Sequence, residues 1–211
     1  MGGKSNALEN EIVDGKLRGQ PISTPATVYV KLIQCDGKHA ASTAYTLNQL
    51  IGIEDDNGKW KMYECTTAGT SAASKPSYPG GANEVIADGT AVFTNQNAGM
   101  ESGAKITELS GGSYAAQAVT ASLANWAGTQ GAGTTTVSTG TEATTSNNNV
   151  IPFPDPTADW GWVFGFIIDD VVSGSLGKYI WAEFTNGPVN IVNGVTNAAF
   201  AAGALKYTED S

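Results

Sequence analysis

Trp160-Gly161-Trp162-Val163-Phe164-Gly165-Phe166-Ile167-Ile168 decides the fold class. Large side chains take the alternate positions Trp160, Trp162, Phe164, Phe166 and Ile168, with Gly161, Val163, Gly165 and Ile167 between them. Successive strand residues point to opposite sides of a sheet, so period two places the bulky set on one face. The other face is small, and another backbone or sheet can approach it closely. The stretch reads as a central strand of a sandwich with its rings in the core. The alternative, an aromatic platform for a ligand, would leave an apolar patch in water. Asp169-Asp170 reads as the solvated end of this strand.

Working outward, the strand signals recur. Thr27-Val28-Tyr29-Val30-Lys31-Leu32-Ile33 is β-branched and aromatic, preceded by Pro25 and followed by Asp36-Gly37. A strand is expected over 59–65 after Asn57-Gly58, a strong hairpin signal, and another over 90–94 after Asp88-Gly89. Further strands are expected over 114–120, 178–185 and 198–207. The Gly/Thr/Ser/Ala/Asn-rich segment 127–149 reads as a long surface loop or weak edge strands. Many short strands with Gly-rich turns predict a mainly β chain, a β-sandwich or jelly roll.

One helix is expected, from about Asn6 to Arg18. Asn6 and Glu9 form an Asn variant of the capping box, and Glu9, Glu11, Lys16 and Arg18 are ordered to complement the helix dipole. Leu8, Ile12 and Leu17, with Val13, recur at helical spacing; Gly19 and Pro21 stop the helix. The apolar stripe either packs on the protein's own sheet or docks on a neighbouring subunit.

The 211 residues suffice for one large or two small domains. A net charge of −9 argues against phosphate-mediated nucleic-acid binding and against an anionic membrane surface. It suits solubility or docking on a basic partner. No apolar run is long enough to span a membrane, and no secretion signal opens the chain, so synthesis in the cytoplasm is expected. Two cysteines, Cys35 and Cys65, make no disulfide framework; two free buried thiols are favoured over a single bond.

Chemistry-bearing motifs are sparse. His39 is the single histidine, beside Lys38 in an expected loop, and is expected to be solvated. Neither a Gly-x-Ser-x-Gly elbow nor a Walker loop occurs. Glu54-Asp55-Asp56-Asn57-Gly58 lacks the alternating ligands and terminal Glu of an EF-hand and reads as a charged hairpin tip. No pair of carboxylates stands out for glycoside cleavage, which depends on a spatial separation. The reading is therefore non-enzymatic, with no catalytic residue, metal or cofactor.

Five short motifs in order resemble tailed-phage structural proteins of the decoration or tail-fibre-like kind. They are Thr24-Pro25-Ala26-Thr27-Val28-Tyr29-Val30 after the helix, Ser110-Gly111-Gly112-Ser113-Tyr114 with Gln117-Ala118-Val119, Ile151-Pro152-Phe153-Pro154, Asp159-Trp160-Gly161, and Ala201-Ala202-Gly203-Ala204-Leu205. The chain departs from that pattern at Gln34-Cys35, where relatives usually carry Phe-Thr. Residues 39–97 resemble an inserted small β module of the carbohydrate-binding type, on Thr43-Ala44-Tyr45, Tyr63-Glu64-Cys65-Thr66-Thr67-Ala68-Gly69-Thr70-Ser71, Pro76, Pro79 and Asp88-Gly89-Thr90.

The resemblance implies a main sandwich of 1–38 plus 98–211 interrupted by the module. It implies a virion protein, foremost a capsid decoration or cement protein that binds the major capsid protein and neighbouring copies of itself as a symmetric cluster. A tail-fibre or tail-tip component contacting host glycans is the alternative. Trp60, Tyr63 and Tyr78 are then the candidate glycan or partner contacts, and Leu8, Ile12 and Leu17 the subunit-docking face. Rings that small modules need for their own core are the competing account of the three aromatics.

Overall fold

A computed structural model describes residues 3–129, 138, 144–194 and 198–208. The chain is mainly β, with two helices among the described residues, α1 (Asn6–Leu17) and α2 (Asn97–Ser102). The first sheet has the order β1 (Gly3–Lys4), β15 (Tyr179–Glu183), β14 (Gly161–Asp169), β2 (Thr27–Gln34), β10 (Gln117–Thr120), and β16 (Val189–Ile191) also pairs with β14. The second has the order β3 (Gly37–Lys38), β5 (Leu50–Glu54), β6 (Trp60–Thr67), β9 (Ala91–Asn95), β8 (Val85–Asp88). Smaller ladders join β4 (Ala44–Tyr45) to β7 (Gly69–Thr70), β13 (Ile151–Pro152) to β17 (Ala199–Phe200), and β11 (Trp126–Ala127) through β12 (Thr144–Asn147) to β18 (Lys206–Thr208).

The first sheet is buried on both faces. One face packs Val30, Leu32, Val163, Phe166 and Ile168 against Leu109, Ile151, Phe153, Trp160 and Leu205. The other packs Ile33, Phe164, Ile167, Tyr179 and Trp181 against Trp60 and Met62 of the second sheet and Met100 of α2. The far face of the second sheet has its own cluster of Tyr45, Ile51, Ile53, Tyr63, Cys65, Tyr78 and Phe93. Residues 39–97 therefore share a core with the rest of the chain. Gly187 and Pro188, after β15, lie on Trp60 and Gly52: a Cβ at Gly187 would come within 2.4 Å of the Trp60 ring, and one at Gly52 within 2.3 Å of Pro188.

The expected single face of rings is corrected. Opposite β2, β14 carries an irregularity between Val163 and Gly165: Val163 pairs with Gln34 and Gly165 already with Ile33. The extra residue resets the alternation. Trp160, Phe166 and Ile168 face one core, while Trp162 and Phe164 face the other with Ile167. Gly165 permits this, since a Cβ there would stand 2.1 Å from the Ala182 carbonyl oxygen.

Other expectations shift locally. The α1 cap is Ser5, not Asn6: Ser5 Oγ accepts from Leu8 N at 3.2 Å and from Tyr179 N at 3.2 Å, tying the cap to β15. The expected last strand over 198–207 is two short strands separated by a turn, with Asn147 Nδ2 donating to the Ala201 carbonyl and Oδ1 accepting from Leu205 N. Within the segment read as a loop, 130–137 and 139–143 lie outside the described residues. Its end, β12, instead carries the buried Ser146 and Asn147. The hairpins at Asn57-Gly58 and Asp88-Gly89 form as read, with Gly58 and Gly89 at φ +73° and +64°.

Candidate functional site

At one end of the β2–β14 pair sits a buried polar knot. Lys31 and Asp169 come from adjacent strands, with Ile167 opposite Lys31 and Tyr29 opposite Asp169. Lys31 Nζ lies 2.8 Å from Asp169 Oδ2, and both side chains are 0% exposed. The same nitrogen donates to the Ser175 carbonyl at 2.9 Å and the Val172 carbonyl at 3.3 Å. Asp169 Oδ1 accepts from Gly177 N at 3.0 Å and from Val171 N at 3.4 Å. Glu108 stands behind, its Oε2 4.0 Å from Lys31 Nζ. Its Oε1 accepts from Ser173 Oγ at 2.6 Å and from the Tyr114 hydroxyl at 3.3 Å. The expectation that Asp169 is a solvated strand end is thus corrected. The loop after β14 folds back over it, and the Lys31 charge compensates its loss of water. Asp170 is half-buried, its Oδ1 accepting from Lys178 N at 2.8 Å.

A second cluster surrounds His39, which is not solvated: its side chain is 7% exposed. Its Nε2 lies 2.7 Å from Asp88 Oδ2, which also accepts from the Tyr78 hydroxyl at 3.0 Å. Asp88 Oδ1 accepts from Ala72 N at 2.8 Å, and the imidazole stacks on Tyr45 with centroids 6.0 Å apart. A His–Asp pair orients an imidazole for catalysis only when a nucleophile meets the ring. The Tyr78 hydroxyl is engaged by Asp88, and the Ser71 hydroxyl donates to the Ala40 carbonyl at 2.8 Å and accepts from Thr43 N at 3.0 Å. The cluster ties the 39–45 and 71–72 segments to the β8–β9 hairpin. Asp55 is likewise buried, its Oδ1 accepting from Asn57 N at 2.9 Å and Lys59 N at 2.8 Å, so the acidic run holds its turn from within.

The three candidate contact rings are core residues. Tyr63 and Tyr78 are 0% exposed and Trp60 is 7% exposed. Tyr63 donates to Glu84 Oε2 at 3.4 Å, and burial pushes its phenol up to about 12. Burial and the neighbouring Asp88 push the Tyr78 phenol far above its ordinary range. Lys38 Nζ stands 4.3 Å over the Trp60 ring, leaving that face occupied. These rings offer no open platform to a sugar, because the second sheet's cores consume them.

The docking residues are divided. Helix α1 lies against β15 and α2 and fully buries none of its side chains. Leu8 and Ile12 are half-buried, Val13 is 50% exposed and Leu17 81% exposed. Glu11 fastens the helix: Oε1 accepts from Lys178 Nζ at 2.7 Å and from Ser23 N at 2.8 Å. The Lys178 contact, helped by Ser23, holds its carboxyl down to about 2.

Cys35 and Cys65 are free, buried thiols in different core clusters. Burial pushes Cys35 up to about 12 and raises Cys65. Because the thiolate is the reactive form, both should resist an aromatic disulfide reagent in the folded protein and react together on unfolding. Rapid labelling of either thiol under native conditions would contradict this placement.

No group of three or more His, Cys, Asp or Glu among the described residues is arranged to hold a metal ion. Among the described residues, no helix is long and apolar enough to cross a membrane. No known family model matches the chain, and no curated protein matches it.

The Lys31 knot was the part hidden from sequence reasoning. Its one available signal was a lysine at the centre of an otherwise apolar β-branched strand.

Proposed function

We propose that this protein is a structural component of a tailed-phage virion, a decoration or cement protein that binds the major capsid protein and reinforces the head. The observation that carries the reading is α1. It stands outside all three cores, anchored by Ser5 and Glu11, with Val13 and Leu17 presented outward. A helix fixed in place with an exposed apolar pair can add buried area to a neighbouring subunit without ordering a new segment. The net charge of −9 supports docking on a basic shell surface. Buried Trp60, Tyr63 and Tyr78 remove the support that the tail-tip reading drew from exposed rings.

Quantifying the protein in purified virions tests this. Many copies, stripped together with the head shell, are expected; a few copies on the tail would refute it. In reconstitution on shells lacking the protein, Leu17→Glu should weaken binding by about tenfold, the equivalent of about 1.4 kcal/mol. Undiminished binding would take α1 out of the interface.

A further inference from the structure

We propose that Lys31 and Asp169 become joined by an intramolecular isopeptide bond, formed by the folded chain itself with Glu108 relaying the proton. The two side chains meet at 2.8 Å on adjacent strands, both fully buried. Ile33 and Ile167, which line the core on this side of the sheet, are also fully buried. Fixed contact between amine and carboxyl supplies the high effective concentration that condensation in bulk water lacks.

The surroundings match each need of the reaction. A neutral amine has two N–H bonds and one lone pair. With its N–H bonds directed at the Val172 and Ser175 carbonyls, Nζ turns its lone pair to the Asp169 carboxyl. Gly177 N donates to Asp169 Oδ1 at 3.0 Å and Oδ2 at 3.3 Å, so it can hold the charge that develops on a carboxyl oxygen. Gly177 has to lack a side chain: a Cβ would stand 2.0 Å from Asp170 Oδ1 and 3.0 Å from Asp169 Oδ1. Glu108 Oε2 is 4.0 Å from Nζ, and its carboxylate is oriented by Ser173 and Tyr114.

The step balances without a co-reactant. One ammonium proton passes to the Asp169 carboxylate, exchanging an ion pair for a neutral pair where charges are poorly solvated. Nζ attacks Cγ, forming the N–C bond. Glu108 takes a second proton from nitrogen and returns it to the departing oxygen. The Cγ–O bond breaks with its electron pair, and water leaves carrying two of the three ammonium hydrogens. The amide keeps the third, and Glu108 ends as it began. A cleft bounded by Glu108, Tyr114, Ser173 and Gly174 gives the water an exit.

Mass spectrometry of the purified full chain tests the bond. The expected result is an intact mass lower by one water and, after proteolysis, a branched peptide containing Lys31 and Asp169. Lys31→Arg and Asp169→Ala should each restore the full mass, and Glu108→Gln should leave the chain largely unlinked with an unchanged circular dichroism spectrum. Separate peptides carrying Lys31 and Asp169 at full intact mass would overturn the proposal. So would a lost water traced to a cyclised Asp36-Gly37 or Asp88-Gly89 with no branched peptide. A fully linked Glu108→Gln would overturn the relay.

Discussion

Asp169→Ala is expected to destabilise the protein by about 3–5 kcal/mol, read as a lower midpoint in equilibrium urea unfolding. The substitution leaves the Lys31 ammonium fully buried with two carbonyl dipoles and, as its remaining counter-charge, the Glu108 carboxylate 4.0 Å away. It also strips Gly177 N and Val171 N of their acceptor and frees the loop between β14 and β15. Loss of a covalent link would add to this in the same direction, since a cross-link restricts the unfolded chain. Asp170→Ala is the control: it removes one hydrogen bond to Lys178 N and should cost about 1 kcal/mol. The double replacement Lys31→Met with Asp169→Leu distinguishes the two states of the pair. An ion pair exchanged for apolar side chains regains most of the lost stability, whereas a lost amide does not. Equal midpoints for Asp169→Ala and Asp170→Ala would contradict the buried geometry.

Phe164→Ala should cost a further about 3–5 kcal/mol as a separate single change. Phe164 is 0% exposed and fills the space between the first sheet and the second, beside Gly52, Trp60 and Met62. Truncation opens a cavity that rigid sheets on both sides cannot close. Because the two sheets share that cluster, the wild-type chain should unfold in one transition, by tryptophan fluorescence and far-UV circular dichroism alike. The Phe164→Ala variant is the one in which the transitions should separate. Phe164→Leu should cost under about 1.5 kcal/mol. Trp162→Ala, at a half-buried position, should cost less than Phe164→Ala. Two resolved transitions already in the wild type would show that residues 37–95 fold independently of the first sheet.

The helix, the hairpin turns and the strands β2, β6, β9, β10, β14 and β15 were legible because their signals are local. Asn6, Glu9 and Gly19 at the α1 ends, Asn57-Gly58 and Asp88-Gly89 act within a few residues of themselves. Among the elements that escaped, β5, β8 and the short α2 are only four to six residues long, and strands such as β1, β3, β4 and β7 are two residues long, too short to carry a period. Cap identity moved from Asn6 to Ser5 for a tertiary reason: Ser5 alone also meets the backbone of Tyr179.

By itself, the sequence determined that the Trp160–Ile168 stretch is an extended, buried strand, because large residues there alternate with small ones at the period-two spacing of a strand. Only the tertiary structure decided that its rings serve two cores. The irregularity at Phe164 resets the alternation, Gly165 admits the Ala182 carbonyl, and a second sheet waits on the side that period two had left small. The same packing took Trp60, Tyr63, Tyr78, His39 and Asp169 out of solvent. Burial depends on which segments close over a residue, and those segments range along the chain from the separation of Tyr78 and Asp88 to that of Lys31 and Asp169.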